Sequence, residues 1–235
     1  MEELLREKYR VQIADTQFGL STDSMVLSSF ARIKKGSRVL DLGCGCGVLG
    51  FLLLADNPSL HVTGVEIQEQ AAAMAEQNIL QNGLSSSFCI KNGDLRDYAA
   101  MKLTNAFDAV VSNPPYYAVD SGKQADLSSL SIARSEVCCT LGDLCRAASG
   151  CLTFGGSFSL VYKPERLADL FQSLRENRLE PKRIRFVRHS ASSNVSLVLL
   201  EARLGGKPGL TYEPELILFS PEGEPTAECR RIYAM

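Results

Sequence analysis

The chain has no tryptophan and only two histidines, His61 and His189, in 235 residues. Histidine is the commonest metal ligand and the side chain that titrates nearest neutrality. So sparse a supply argues against a metal centre and against a histidine-based relay. The eight cysteines, Cys44, Cys46, Cys89, Cys138, Cys139, Cys145, Cys151 and Cys229, form no C-x-x-C pair and have no histidine at zinc spacing. They read as small apolar fillers in a reducing compartment. No run approaches the ~20 apolar residues of a membrane span. The start, Met1-Glu-Glu-Leu-Leu-Arg-Glu, has no apolar signal core. A cytoplasmic location is therefore expected. Charge of one sign is also missing: the formal net charge is -2, so any nucleic-acid surface must be a local patch.

What is present is an alternation of short apolar strands and helices. Strands are expected at Ser37–Leu42, His61–Ile67, Phe88–Ile90, Phe107–Ser112 and Ser157–Tyr162, and two more at Arg183–Arg188 and Val195–Ala202. Between them fall helices over Val48 to Asp56, Gln70 to Gln81, Ile132 to Leu152 and Pro164 to Leu179. An earlier helix begins at Thr22, with Asp23 in its first turn. This order implies an α/β fold with a mainly parallel sheet, helices on both faces and an antiparallel hairpin at one edge. One domain is expected, with residues 1–36 as an N-terminal extension and helix, 37–204 as the core and 205–235 as a tail over the surface. Residues 117–130, rich in Ser, Asp and Gly, read as a loop beside the site.

In such sheets, ligands bind at the carboxyl ends of the strands. Four polar groups are expected there: Asp41, Glu66, Asp94 and Asn113. After the first strand comes a glycine loop, Gly43, Gly45, Gly47 and Gly50, which lets the backbone turn sharply and approach a ligand. Gly45-x-Gly47-x-x-Gly50, with Glu66 about 20 residues on, satisfies a dinucleotide fingerprint. Asp41 pulls the other way. A carboxylate just before the loop repels a pyrophosphate and attracts a cationic sulfonium–amino acid. After the fourth strand stands Asn113-Pro114-Pro115-Tyr116. Two prolines stiffen the turn, and an amide, backbone acceptors and a ring are held within four residues. That set suits a flat group bearing an amino nitrogen.

Together, Asp41-x-Gly43-x-Gly45-x-Gly47, Glu66, Asp94 and Asn113-Pro-Pro-Tyr116 resemble a class I S-adenosylmethionine-dependent methyltransferase of the amino-methylating kind. Ser112-Asn-Pro-Pro-Tyr-Tyr117, Ile132-Ala-Arg-Ser-Glu136, Thr140-Leu-Gly-Asp143, Tyr162-Lys-Pro-Glu-Arg166, Glu180-Pro-Lys-Arg183 and Gly205-Gly-Lys-Pro208 are similar to the bacterial tRNA(Val) adenosine N6-methyltransferase family. The resemblance covers nearly the whole chain. It implies a Rossmann-like fold with a seven-stranded sheet, S-adenosyl-L-methionine as cofactor and tRNA as partner, the target being the adenosine 3′ of the anticodon. It implies that Asp41, Gly43, Gly45 and Gly47 hold the methionine end, Glu66 and Ile67 the ribose side, and Asp94 with Leu95 the adenine, while Phe18 and Asp23 close over the cofactor. Asn113, Pro114, Pro115 and Tyr116 would grip the target base. Arg134, Lys163, Lys182, Arg183, Arg185 and Arg188 are candidates for the RNA backbone. No metal is called for. Two other acceptors or chemistries stay open: a glutamine amide of a release factor, which the same turn can grip, and hydride transfer with a nicotinamide.

Overall fold

The computed structural model describes residues 2–13, 22–114 and 139–233. The chain opens with a hairpin, β1 (Glu2–Leu5) and β2 (Tyr9–Gln12), antiparallel and separate from the main sheet. Helix α1 (Thr22–Phe30) follows. Then come β3 (Arg38–Leu42), α2 (Val48–Asp56), β4 (His61–Glu66), α3 (Glu69–Gln81), β5 (Phe88–Asn92) and β6 (Phe107–Ser112). The second half holds α4 (Leu141–Cys151), β7 (Leu152–Tyr162), α5 (Leu167–Glu176), β8 (Leu179–Arg188) and β9 (Val195–Leu204). Two short strands, β10 (Thr211–Tyr212) and β11 (Leu216–Ile217), and helix α6 (Ala227–Tyr233) end it.

The main sheet runs β5-β4-β3-β6-β7-β9-β8, with β10 and β11 both paired to the outer side of β8. β5, β4, β3, β6 and β7 are mutually parallel. β9 is antiparallel to both its neighbours, β7 and β8. The expected seven strands are present, and two short ones extend the edge. Chain order reverses at β3, so the carboxyl ends of β4, β3 and β6 face one crevice.

Each face of the sheet carries its own core. On one lie Phe51, Leu52 and Leu54 of α2, Val26 and Leu27 of α1, and Ile232 of α6. On the other lie Leu144, Cys145 and Ala148 of α4, and Leu170 and Leu174 of α5. α2 is apolar all round because the hairpin covers its outer side: Leu5 and Val11 join the same cluster. Tyr9 packs its ring at a tilt against Phe51, with 5.8 Å between ring centroids.

Three boundaries differ from expectation. α4 begins at Leu141, because Thr140 and Asp143 form a reciprocal capping box there; the part of the expected helix before residue 139 lies outside the described residues. Leu152 and Leu179 start strands instead of ending helices. The tail does more than cover the surface: Leu216, Leu218, Cys229 and Ile232 are core residues.

Candidate active site

Five strand ends meet along the carboxyl edge of the sheet. In spatial order they carry Asp94, Glu66, the loop of residues 41–47, Asn113 and Lys163, following β5, β4, β3, β6 and β7. Phe18, Pro115, Tyr116 and Arg134 lie outside the described residues.

The glycine loop is held open by its backbone. Gly43, Gly45 and Gly47 have φ of 74°, 55° and 89°, values that side chains rarely adopt. A methyl group added at Gly43 or Gly45 would meet nothing within 4 Å. The loop therefore borders open space. Gly50 serves packing instead: an added Cβ there would lie 2.3 Å from Phe88, so helix α2 sits directly against a ring of β5. The Gly43 and Cys44 amides both donate to the Val65 carbonyl, at 2.9 and 3.1 Å. These bonds tie the loop to the end of β4.

Two carboxylates flank the loop. Glu66 is buried. Its Oε2 accepts from the Gly45 amide at 2.9 Å and its Oε1 from the Gln68 amide at 2.8 Å. Each carboxylate oxygen has a second lone pair, so both can also accept from a ligand hydroxyl. Asp41 is 1% exposed. The Gly50 amide donates to it, yet its Oδ2 is buried with no hydrogen-bond partner among the described residues. Burial first, and the Glu66 charge second, push its carboxyl up to about 7. A buried acceptor beside an open glycine cradle fits a ligand that brings a donor, above all an ammonium. A pyrophosphate does not fit there. Ile67, next to Glu66, leaves a large apolar side chain 49% exposed at this edge.

Asp94 caps the turn at Leu95–Asp97 through the Arg96 amide, at 2.9 Å, and is forked by the Arg96 guanidinium. That pairing holds its carboxyl below the usual range. Leu95 is half-buried and packs on the second core cluster.

Asn113 is positioned from two directions. The Ser112 hydroxyl donates to the Leu42 carbonyl at 2.8 Å, fixing the end of β6 beside β3. The Asn113 amide nitrogen then donates to the Ser24 hydroxyl of α1 at 3.0 Å. This bond assigns the donor half of the amide to the protein; the other half is Oδ1, an acceptor. Pro114 is buried behind it. Asp23, one residue before Ser24, is raised by burial, with the positive charge of Lys163 opposing. α1 thus joins the β6 and β7 ends.

A family model described as methyltransferase small domain matches residues 20–177. The chain belongs to the methyltransferase small domain family. This methyltransferase is similar to proteins named tRNA1(Val) (adenine(37)-N6)-methyltransferase. One, from Shewanella sp. strain W3-18-1, is 29% identical over 74% of this chain and 72% of its own. Another, from Aliivibrio salmonicida, is 24% identical over 92% and 90%. A crystal structure from Agrobacterium tumefaciens, described as a predicted O-methyltransferase, superposes with a TM-score of 0.75 at 22% identity, covering 91% of this chain and 96% of that one. That last likeness shows the fold.

Three of the cations expected to meet RNA are engaged within the methyltransferase itself. Arg183 is buried. It pairs with Glu201 at 2.8 Å and Glu213 at 2.9 Å, donates to the Phe30 carbonyl at 2.7 Å and lies over the Phe30 ring at 4.0 Å. Arg185 pairs with Glu228 and Arg188 with Glu215, each at 2.8 Å. These three hold the tail to β8. Lys182 has no carboxylate partner among the described residues; it donates to the Lys207 carbonyl.

Two residues that position the site had no sequence reading. Ser24 sat inside an apolar helix face. Asn78 is fully buried in α3. It exchanges bonds with the Gln12 backbone at 2.8 and 2.9 Å and donates to the Cys46 carbonyl at 3.1 Å. It clamps the hairpin and the glycine loop to one helix. The signal for it was a polar residue on the face made by Ala72, Ala75 and Ile79. The cysteines in the loop are no nucleophiles: burial, then the Asp41 charge, drives the Cys44 thiol well up, and burial raises Cys46.

Proposed function

We propose that this methyltransferase uses S-adenosyl-L-methionine to methylate the exocyclic N6 amine of an adenosine in tRNA, the adenosine 3′ of the valine anticodon. The observation that carries the reading is the adjacency of two half-sites. A loop with an orphaned buried carboxylate oxygen borders open space, and on the next strand an amide is fixed by Ser24. The names carried by the relatives supply the acceptor.

Asp41 and the Gly43–Gly47 loop hold the amino-acid end of the cofactor, Glu66 its ribose hydroxyls, and Ile67 and Leu95 the faces of its adenine, with Asp94 at the rim. When bound, the cofactor supplies a methyl group activated by its sulfonium. An aromatic amine is a poor nucleophile, because its lone pair is delocalised into the ring. Asn113 Oδ1 and the Pro114 carbonyl accept from its two N–H groups and aim the lone pair at the methyl. Tyr116 stacks on the base, a contact worth about 1–3 kcal/mol. The base must leave its stack to reach this turn. Rate then comes from placement and from acceptors aimed at the developing positive charge. The proton leaves after transfer.

The test uses purified protein, labelled cofactor, tRNA(Val) transcripts and a release factor. Label is expected in the tRNA, recovered as N6-methyladenosine by nucleoside mass spectrometry, and lost when the target adenosine is changed to guanosine. Label on a release-factor glutamine, with none on tRNA, would overturn the reading.

A further inference from the structure

Beside the outer strands β8 and β9 lies a cleft of about 450 Å³, lined by Arg32, Ile33, Lys34, Lys182, Arg183, Glu201 and Arg203. Five of these seven side chains are cationic, in a chain whose net charge is -2. Three elements build it. The segment after α1 supplies Arg32 and Lys34, the start of β8 supplies Lys182 and Arg183, and the end of β9 supplies Glu201 and Arg203.

The local charge does not cancel. Arg183 is matched by Glu201, and Arg32 shares Glu213 with it at 2.7 Å. Glu180, opposite Arg203 across the β8–β9 ladder, is turned to Arg175 at 2.8 Å. That leaves Lys34, Lys182 and Arg203 without a carboxylate partner among the described residues. Three cations concentrated in one concave site, over a buried ion-pair floor that fixes its shape, form an anion site and not a scattered solvated surface.

We infer that this cleft binds the phosphodiester backbone of the RNA whose target base enters at Asn113. The inference rests on the tRNA reading proposed above. Scale supports it. α1 runs from Ser24, bonded to Asn113, to Phe30, bonded to Arg183. From Ser24 to Phe30 there are six rises of about 1.5 Å, so the cleft lies about 9 Å along α1 from the base turn. At about 3.4 Å of rise per nucleotide, that is some two or three nucleotides of one strand. The cleft would thus hold the backbone close to the target nucleotide, adding affinity without reading a base.

The test measures tRNA binding by fluorescence anisotropy across salt concentrations, and methyl-transfer kinetics, for the full chain. Lys182→Ala/Arg203→Ala and, on the other wall, Lys34→Glu are compared with wild type; melting temperature and cofactor affinity confirm an intact fold. The double variant is expected to raise KM for tRNA at least about tenfold with kcat unchanged, and to flatten the salt slope by about 1.4–1.8, since each lost phosphate contact removes about 0.7–0.9. Lys34→Glu shifts both in the same direction. Unchanged KM and slope in both variants would overturn the inference. Inorganic phosphate at matched ionic strength separates a free anion from a backbone: if it binds wild type in a variant-sensitive way while tRNA binding ignores both variants, the cleft serves free phosphate and the inference fails. If wild type transfers no methyl to tRNA, the acceptor proposal fails by itself, and the salt slopes still decide the cleft.

Discussion

Asn113 and Asp41 carry the chemistry at single-residue scale, and they make opposite demands. Asn113 must be placed; Asp41 must be charged. Ser24 places the first. Asn113→Ala is therefore expected to leave S-adenosylhomocysteine affinity nearly intact while turnover falls about 10²–10³-fold, the usual cost of one aimed polar group. Calorimetry beside steady-state kinetics checks this, and equal losses of both would mark the residue as structural. Asp41 sits at about 7 in the ligand-free protein, raised by burial and Glu66. A bound ammonium favours its charged form. Affinity for S-adenosylhomocysteine should then climb from about pH 5.5 toward about pH 7 and level off above. Asp41→Asn should flatten that profile, and a flat wild-type profile would refute the role. The same group acts inversely on the ligand-free fold. Its folded value lies above its unfolded one, so its stabilisation is full below about 3.9 and is lost as pH rises through about 7.

At the scale of elements, the informative features are contacts that tie one piece to another. The Arg183 guanidinium joins β8 to β9, to the tail and to the end of α1. Removing it leaves Glu201 buried and unpaired. Arg183→Ala should cost about 3–5 kcal/mol, read as a fall in melting temperature. A basic run in sequence thus proves to be an internal brace, because long-range carboxylates reach it. Gly50 shows the same dependence on a distant partner. Gly50→Ala drives a methyl into Phe88 and should destabilise by about 1–3 kcal/mol; Phe88→Leu in the same chain should return part of it.

For the whole molecule, the two ends of the chain matter more than their polar composition suggests. The hairpin closes over α2 and, through Asn78, steadies the glycine loop. The tail supplies Glu213, Glu215 and Glu228 to three arginines of β8. It also presents the Tyr233 hydroxyl to Thr22, at the start of the helix that holds Asn113. Truncation after Gly209 should lower the melting temperature, raise dye binding to exposed apolar surface, and cut turnover further than the lost stability alone would. Full activity in a stably folded truncate would sever this link between tail and site.

What the sequence by itself determined is local. Alternating strands and helices, the glycine run after β3, and single polar residues at strand ends are written in short windows, because backbone sterics and hydrophobic period act over a few residues. They sufficed to name Asp41, Glu66, Asp94 and Asn113 and to place them on one edge. The tertiary structure decided what depends on partners far along the chain. Arg183 is a brace while Lys182 and Arg203 line a cleft. Ser24 orients Asn113 across 89 residues, and Asn78 clamps a hairpin 66 residues away. Charge is visible in a sequence, but whether that charge is free or spent depends on which carboxylates folding brings within 3 Å.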